Sequence, residues 1–216
     1  MKYNELLNNE TIKTYIIAAD KSLKALGYTE HSFAHVGKVA NDAEYILSSL
    51  NYDEHTIELA KIAGYLHDIG NVVNRSNHSL SGAVMAFQIL NELNMPANDI
   101  ALITSAIGNH DEGTGIAVNE IAAALIIADK SDVRRSRVRN ENFESFDIHD
   151  RVNYSVTDSK LLVENNEIIL KLEIDTKISP IMDYFEIFLS RMTMCKNAAN
   201  KINMKFRLSI NNQLII

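Results

Sequence analysis

His67 and Asp68 adjoin at the end of an apolar helical run extending from Ala60 to Gly70. A neighbouring imidazole and carboxylate, leaving a buried helix into a glycine-containing turn, can bind one cation together. The second carboxylate oxygen can reach another. The chain offers partners for this pair in His35 upstream and in His78, His110 and Asp129 downstream. Each lies at or near an end of an expected helix, the layout of a metal centre assembled inside a helical bundle. Neutral imidazole and carboxylate suit one or two divalent ions, with Mn, Fe, Co, Ni, Zn and Mg all admitted.

Taken singly, each residue has a plainer reading. A lone histidine near a helix end is more often a hydrogen-bonded or exposed residue than a ligand. Asp129 alone reads as a partner of Lys130 or Arg134, and Asp68 alone as a helix-terminal hydrogen-bonding residue. The plain readings weaken together, because four of the seven histidines and two aspartates all punctuate apolar helices. His31 and His35 are one helical turn apart, which lets one act as ligand while the other supports it or meets substrate. His55 reads as a helix-start residue and His149 as a loop residue.

The elements that must position these side chains follow from apolar spacing. A first helix is expected from Tyr3 to Leu26, with Gly27 as its stop. A second starts near Ser32 and carries His35 mid-helix; a third runs from His55 to His67. Further helices are expected over Ser79–Leu93, over Ala97–Asn109 after Pro96, and over Glu120–Ser131 with Asn119 as cap. Residues 140–159 are polar and aperiodic and read as a long loop. The period then changes. Lys160–Glu164 and Ile168–Ile174 flank Asn165-Asn166, a β-hairpin signature, and a second hairpin is expected around Asn211-Asn212. Between them Ser179 and Pro180 open an amphipathic helix reaching about Asn203.

The expectation is a mainly α protein: a helical core over residues 1–139, a linker over 140–159, and a C-terminal hairpin–helix–hairpin subdomain over 160–216, its small antiparallel β-sheet packed with one helix. At 216 residues and 46% hydrophobic content the chain can bury a substantial core. The single Cys195 admits no internal disulfide and suits a reducing, cytoplasmic setting. The N-terminus has no signal-peptide pattern, and the longest apolar run, Ile121–Ala128, is far short of a bilayer span of ~20 residues. A net charge of −7 disfavours nucleic acid polymers and anionic membranes. Arg134, Arg135, Arg137 and Arg139 form a local exception. The cluster reads as a solvated stretch or as a phosphate-binding edge, and its place just after Asp129 favours phosphate.

His35, the His67-Asp68 doublet and Asp129, with the local texts Gly64-Tyr-Leu-His-Asp-Ile-Gly70 and Ile127-Ala-Asp-Lys130, resemble the signature of the HD superfamily of metal-dependent phosphohydrolases. The resemblance covers residues ~30 to ~135. It implies an HD-type helical bundle in which His35, His67, Asp68 and Asp129 hold one metal. By analogy with the binuclear branch, Asp68, His78 and His110 hold a second. Many binuclear relatives carry a phosphate-contacting lysine after the Ile-Gly; Asn71 stands there, so Arg134 or Arg135 is expected to take that contact. The Gly-Tyr-Pro motif of the cyclic-dinucleotide phosphodiesterase branch is absent. The implied activity is cleavage of a phosphoester or phosphoanhydride, of a nucleotide or dinucleotide, by a metal-activated hydroxide. Asp68 would orient the nucleophile, His31 or Lys130 would serve as general acid, and Asn71, Arg134 and Arg135 would meet substrate.

Two other classes of function remain open at this stage. One is a non-catalytic, metal-stabilised signalling or scaffold module, which the completeness of the ligand set disfavours. The other is a di-iron oxygenase on the same core. Among partners, a small phosphorylated molecule is expected. The apolar residues Ile181, Tyr184, Phe185, Ile187, Phe188 and Leu189 exceed what a small sheet needs to cover, which suggests a homodimer contact.

Overall fold

The computed structural model describes residues 2–216. Among them, seven helices precede the polar segment: α1 Tyr3–Leu6, α2 Glu10–Ala25, α3 Phe33–Ser49, α4 Glu54–Leu66, α5 His78–Glu92, α6 Ala97–Gly108 and α7 Glu120–Lys130. Four of the long helices begin with a side-chain cap, and α5 and α6 begin without one. Asn9, Ser32, Asp53 and Asn119 lend side-chain oxygens to the free N–H groups of the first turns of α2, α3, α4 and α7. The single N-terminal helix expected from the spacing is two helices. Asn9 accepts hydrogen bonds from Thr11 N and Ile12 N, which restarts the helix after Leu6 without breaking the apolar period.

α7 is the axle of the bundle. Its residues Ile121–Ala128 are all buried, so it has no solvent face, and it packs against α3, α4, α6 and α9. Around it α3 and α4 cross closely. A Cβ at Gly64 would lie 2.8 Å from Ala40 Cα, so only glycine permits the approach that brings the first turn of α3 beside the end of α4. After α4 the chain tightens into a 3-10 turn, Ile69–Val72, against the start of α5. At Gly70 a Cβ would overlap the His78 carbonyl and Gly82 N.

The segment expected as a long loop is partly structured. A 3-10 turn at Phe143–Ser145 leads to α8, Ile148–Ser155, capped by Asp147, and β1 then begins at Val156. Eight residues are too few for a helical period to stand out, and α8 buries only Val152, Asn153 and Ser155. The hairpins form around Asn165-Asn166 and Asn211-Asn212, whose φ values of 50–63° suit their turns. They join β1 (Val156–Glu164) to β2 (Glu167–Ile174) and β3 (Lys205–Ile210) to β4 (Gln213–Leu214).

The sheet has the order β1-β2-β3-β4. Its hairpins are antiparallel, as expected, but β2 and β3 pair in parallel. The long α9, Ile181–Lys201, supplies the crossover such a pair requires. One apolar core runs through helices and sheet. Part of the apolar surface of α9 is taken up within the chain: Tyr184, Phe188, Met192 and Cys195 are buried, and the helix packs on both α7 and β3, while Met182 and Leu189 stay exposed. No described helix is long and apolar enough to cross a membrane.

Candidate metal centre

Six side chains from the ends of five helices converge. His35 lies in the first turn of α3 rather than mid-helix; His67 caps α4 and Asp68 follows it. His78 opens α5, His110 follows the end of α6, and Asp129 is the penultimate residue of α7. Helix ends suit this purpose because their unpaired backbone groups can hold a side chain in one orientation. His67 Nδ1 donates to the carbonyl of Gly64 at 2.8 Å, His78 Nδ1 to Arg75 at 3.1 Å and His110 Nδ1 to Ile107 at 2.6 Å. In each case the acceptor is three residues back. His35 Nδ1 donates instead to the Asp132 carboxylate at 2.7 Å.

A carbonyl only accepts, so these bonds fix the proton on Nδ1 and leave Nε2 of each neutral ring as a bare lone pair. Three of these nitrogens face the two carboxylates, and that of His110 faces His78. His35 Nε2 stands 3.5 Å from Asp68 Oδ2 and 3.4 Å from Asp129 Oδ1. His67 Nε2 stands 3.3 and 3.7 Å from the same two oxygens. His78 Nε2 is 3.4 Å from Asp68 Oδ1 and 3.2 Å from His110 Nε2. Lone pairs facing lone pairs and anions, inside a bundle, repel unless a cation sits among them. The Nε2 atoms of His35 and His67 are buried without a hydrogen-bond partner. An orphaned buried nitrogen costs about 1–3 kcal/mol, so the arrangement is unfavourable as it stands and suits an ion. Two groups have donor atoms all within 4.8 Å of one another: His35, His67 and Asp129, and His67, Asp68 and His110. His67 belongs to both.

The electrostatics agree. Burial would raise the Asp68 carboxyl, but the imidazoles of His67, His31 and His78 hold it well below the usual carboxylate range. Burial opposes ionisation of Asp129 too, and Lys130 with His35 and His67 reverses it. Burial pushes the His110 imidazole down to about 3, which leaves its nitrogen free to coordinate. Burial disfavours a charged His67 as well, yet Asp68 and Asp129 raise it to about 10. A proton there would relieve the two carboxylates, a task a divalent cation performs better.

The cluster opens into a cavity of about 590 Å³, to which Asp68, His78 and Asp129 contribute. Two of the residues expected to act on substrate line it. His31 stacks edge-on against His35 at 5.3 Å between ring centres, and its Nδ1 hydrogen bonds to Thr29 O at 2.7 Å. Lys130 Nζ lies 2.8 Å from Asp129 Oδ2.

Three expected substrate contacts lie elsewhere. Asn71 is buried and donates from Nδ2 to Asp68 Oδ1 and to the Asp68 carbonyl, both at 2.9 Å, so it steadies a ligand candidate rather than facing the cavity. Arg134 is turned onto Asp132 and Glu30, and Arg135 onto Tyr154 O; both line a separate shallow groove. The physical reason is local. Asp132 draws Arg134 back, while the 3-10 turn Arg135–Arg137 carries the next side chain outward.

Sequence reasoning passed over several residues that the fold brings here. Asp132 holds His35, with burial opposing its charge and Arg137, His35 and Arg134 holding its carboxyl far below the ordinary range. Its place one turn after Asp129 was the available signal. Arg75 enters the cavity with Nη1 3.4 Å from His78 Nε2, and Arg191, Asp111 and Glu112 line the walls, as does Arg137 of the arginine cluster noted in the sequence. His149, read as a loop residue, lines the cavity from α8.

Comparison with known proteins places these residues in a wider context. A family model described as HD domain matches residues 32–141. An uncharacterized protein of Methanocaldococcus jannaschii is 27% identical over 162 residues, covering 64% of this chain and 62% of that one. The chain thus spans less than two thirds of that relative's length. The crystal structure of a predicted HD superfamily hydrolase from an uncultured Thermotogales bacterium is 24% identical, covering 62% of this chain and 75% of that one with a TM-score of 0.46.

Proposed function

The chain belongs to the HD domain family, and from that membership we propose that it is a metal-dependent phosphohydrolase acting on a small phosphorylated molecule. The observation that carries the reading is the set of four Nε2 lone pairs gathered around Asp68 and Asp129 with every Nδ1 already engaged. In this reading His35, His67, Asp68 and Asp129 hold one divalent ion, and Asp68, His78 and His110 hold a second. When bound, such ions acidify water and draw charge from phosphoryl oxygens.

The chain's own residues supply the rest. Asn71 fixes the Asp68 carboxylate so that it presents one orientation to the nucleophilic water. Arg75 and Lys130 meet the phosphoryl oxygens through charge-assisted hydrogen bonds, the part first assigned to Arg134 and Arg135. The water gives up one proton to solvent, its oxygen forms the new P–O bond as the bond to the leaving oxygen breaks, and the leaving oxygen takes a proton. Of the two acid candidates, Lys130 lines the cavity and has N–H groups beyond the one directed at Asp129, whereas the single N–H of neutral His31 is spent on Thr29. Lys130 is therefore assigned the role, and His31 accepts a hydrogen bond from substrate.

The test is a panel of phosphomonoesters, phosphodiesters and nucleotide anhydrides run with Mn, Ni, Co, Fe, Mg and Zn, reading released phosphate. Turnover with at least one metal, abolished in Asp68→Ala, is expected. A wild-type protein inert on every substrate with every metal, or an Asp68→Ala variant at full rate, refutes the reading.

A further inference from the structure

We propose that α8 is the specificity wall of the cavity and that it selects a phosphomonoester of a hydroxyl-bearing alcohol, a nucleoside or sugar monophosphate, against polyphosphate esters. The inference rests on the phosphohydrolase reading and names the substrate class for it.

α8 lies beyond residue 141, where the family match ends. The wall consists of Asp147, His149, Asp150 and Asn153, and it forms no hydrogen bond or ion pair with the histidine cluster. Asp147 Oδ1 accepts from Asp150 N at 2.8 Å, and Asp150 Oδ2 accepts from Asn140 Nδ2 at 3.3 Å. Neither carboxylate forms an ion pair with a lysine or arginine among the described residues. Arg151, the cation nearest in sequence, is directed to Phe146 O and Asp183 instead. The cations that line the cavity are Arg75, Lys130, Arg137 and Arg191. Arg137 is already bound to Glu30 O and Asp132 O, and Arg191 to Glu112.

This distribution suits one phosphoryl group and penalises more. A single phosphate can take the histidine-lined pole with Lys130 and Arg75. A second or third would add negative charge in a cavity that also holds Asp111, Asp147 and Asp150, carboxylates with no lysine or arginine ion-pair partner among the described residues. Hydroxyl groups are donors, and an ionised carboxylate is their stronger acceptor, so Asp147 and Asp150 are suited to the leaving alcohol. Leu26, Tyr28 and Phe188 give the same cavity apolar surface for a ring.

The double variant Asp147→Asn/Asp150→Asn tests this. Asparagine preserves both shape and the capping acceptor at position 147, so α8 is retained, and a melting curve verifies it. Turnover of AMP and ATP is compared in wild type and variant, and binding of both to the Mn-loaded proteins is measured by calorimetry. Wild type is expected to favour AMP in kcat/KM and in Kd, and the variant to shift the preference towards ATP by roughly tenfold or more. Asp150→Asn alone shifts it less, in the same direction. A wild-type preference for ATP, or an unchanged ratio in the double variant, overturns the proposal. Absence of turnover on every substrate counts against the phosphohydrolase reading alone, because the binding ratio is still measured.

Discussion

Asp132 never touches the proposed ion, yet it fixes the ring of His35 through the 2.7 Å bond to Nδ1. Partners of this kind set a ligand's tautomer and orientation, and their loss costs metal affinity about 10–100-fold. Asp132→Asn is therefore expected to weaken Mn binding within that range while the fold persists, as read by calorimetric titration. An unchanged affinity would show that His35 is held without it. The same logic separates Asn71 from the role first given to it. Its amide is committed to Asp68 on two atoms, so Asn71→Ala should loosen metal binding rather than raise the KM for substrate alone. The two parameters are separated by comparing metal titrations with substrate titrations at saturating metal.

At the scale of elements, the site depends on close approaches that leave no room for a side chain. Gly70 lets the first turn of α5 sit on the 3-10 turn after Asp68. Gly70→Ala would force backbone apart, with a stability loss of about 1–3 kcal/mol by denaturant titration and weaker metal binding from displaced His78. Wild-type behaviour in both would contradict this packing. Ile126→Ala, in the fully buried α7, should cost about 2–5 kcal/mol in the same assay, with a smaller loss indicating that the bundle collapses around the gap.

The long helices were legible in sequence because their caps and apolar periods reinforce one another, as with Asn119 before the Ile121–Ala128 run. The His-Asp doublet was legible because its carriers end apolar helices. Three features were not. Asn9 interrupts α1–α2 without disturbing the period. α8 is too short to show a period. The parallel pairing of β2 with β3 depends on where α9 returns the chain, which no local pattern encodes. The setting of Arg134 was hidden for a related reason: proximity in sequence to Asp129 favoured a place at the site, whereas tertiary contact with Asp132 and Glu30 claims it.

At the scale of the whole molecule, repulsion is concentrated where the cation is proposed. The chain carries a net charge of −7, and two of its carboxylates share a buried site with four imidazole lone pairs. An ion bound only by the folded state should raise stability by about 2.7 kcal/mol at a hundredfold excess over its Kd. The melting temperature should climb with Mn concentration, and a curve independent of metal would oppose a resident ion. The most direct test is the metal content of wild-type and Asp68→Ala protein, reconstituted side by side with Mn and measured by elemental mass spectrometry after desalting. The account predicts at least one tightly held ion per wild-type chain and the loss of at least one in the variant. Equal content in the two proteins would contradict it.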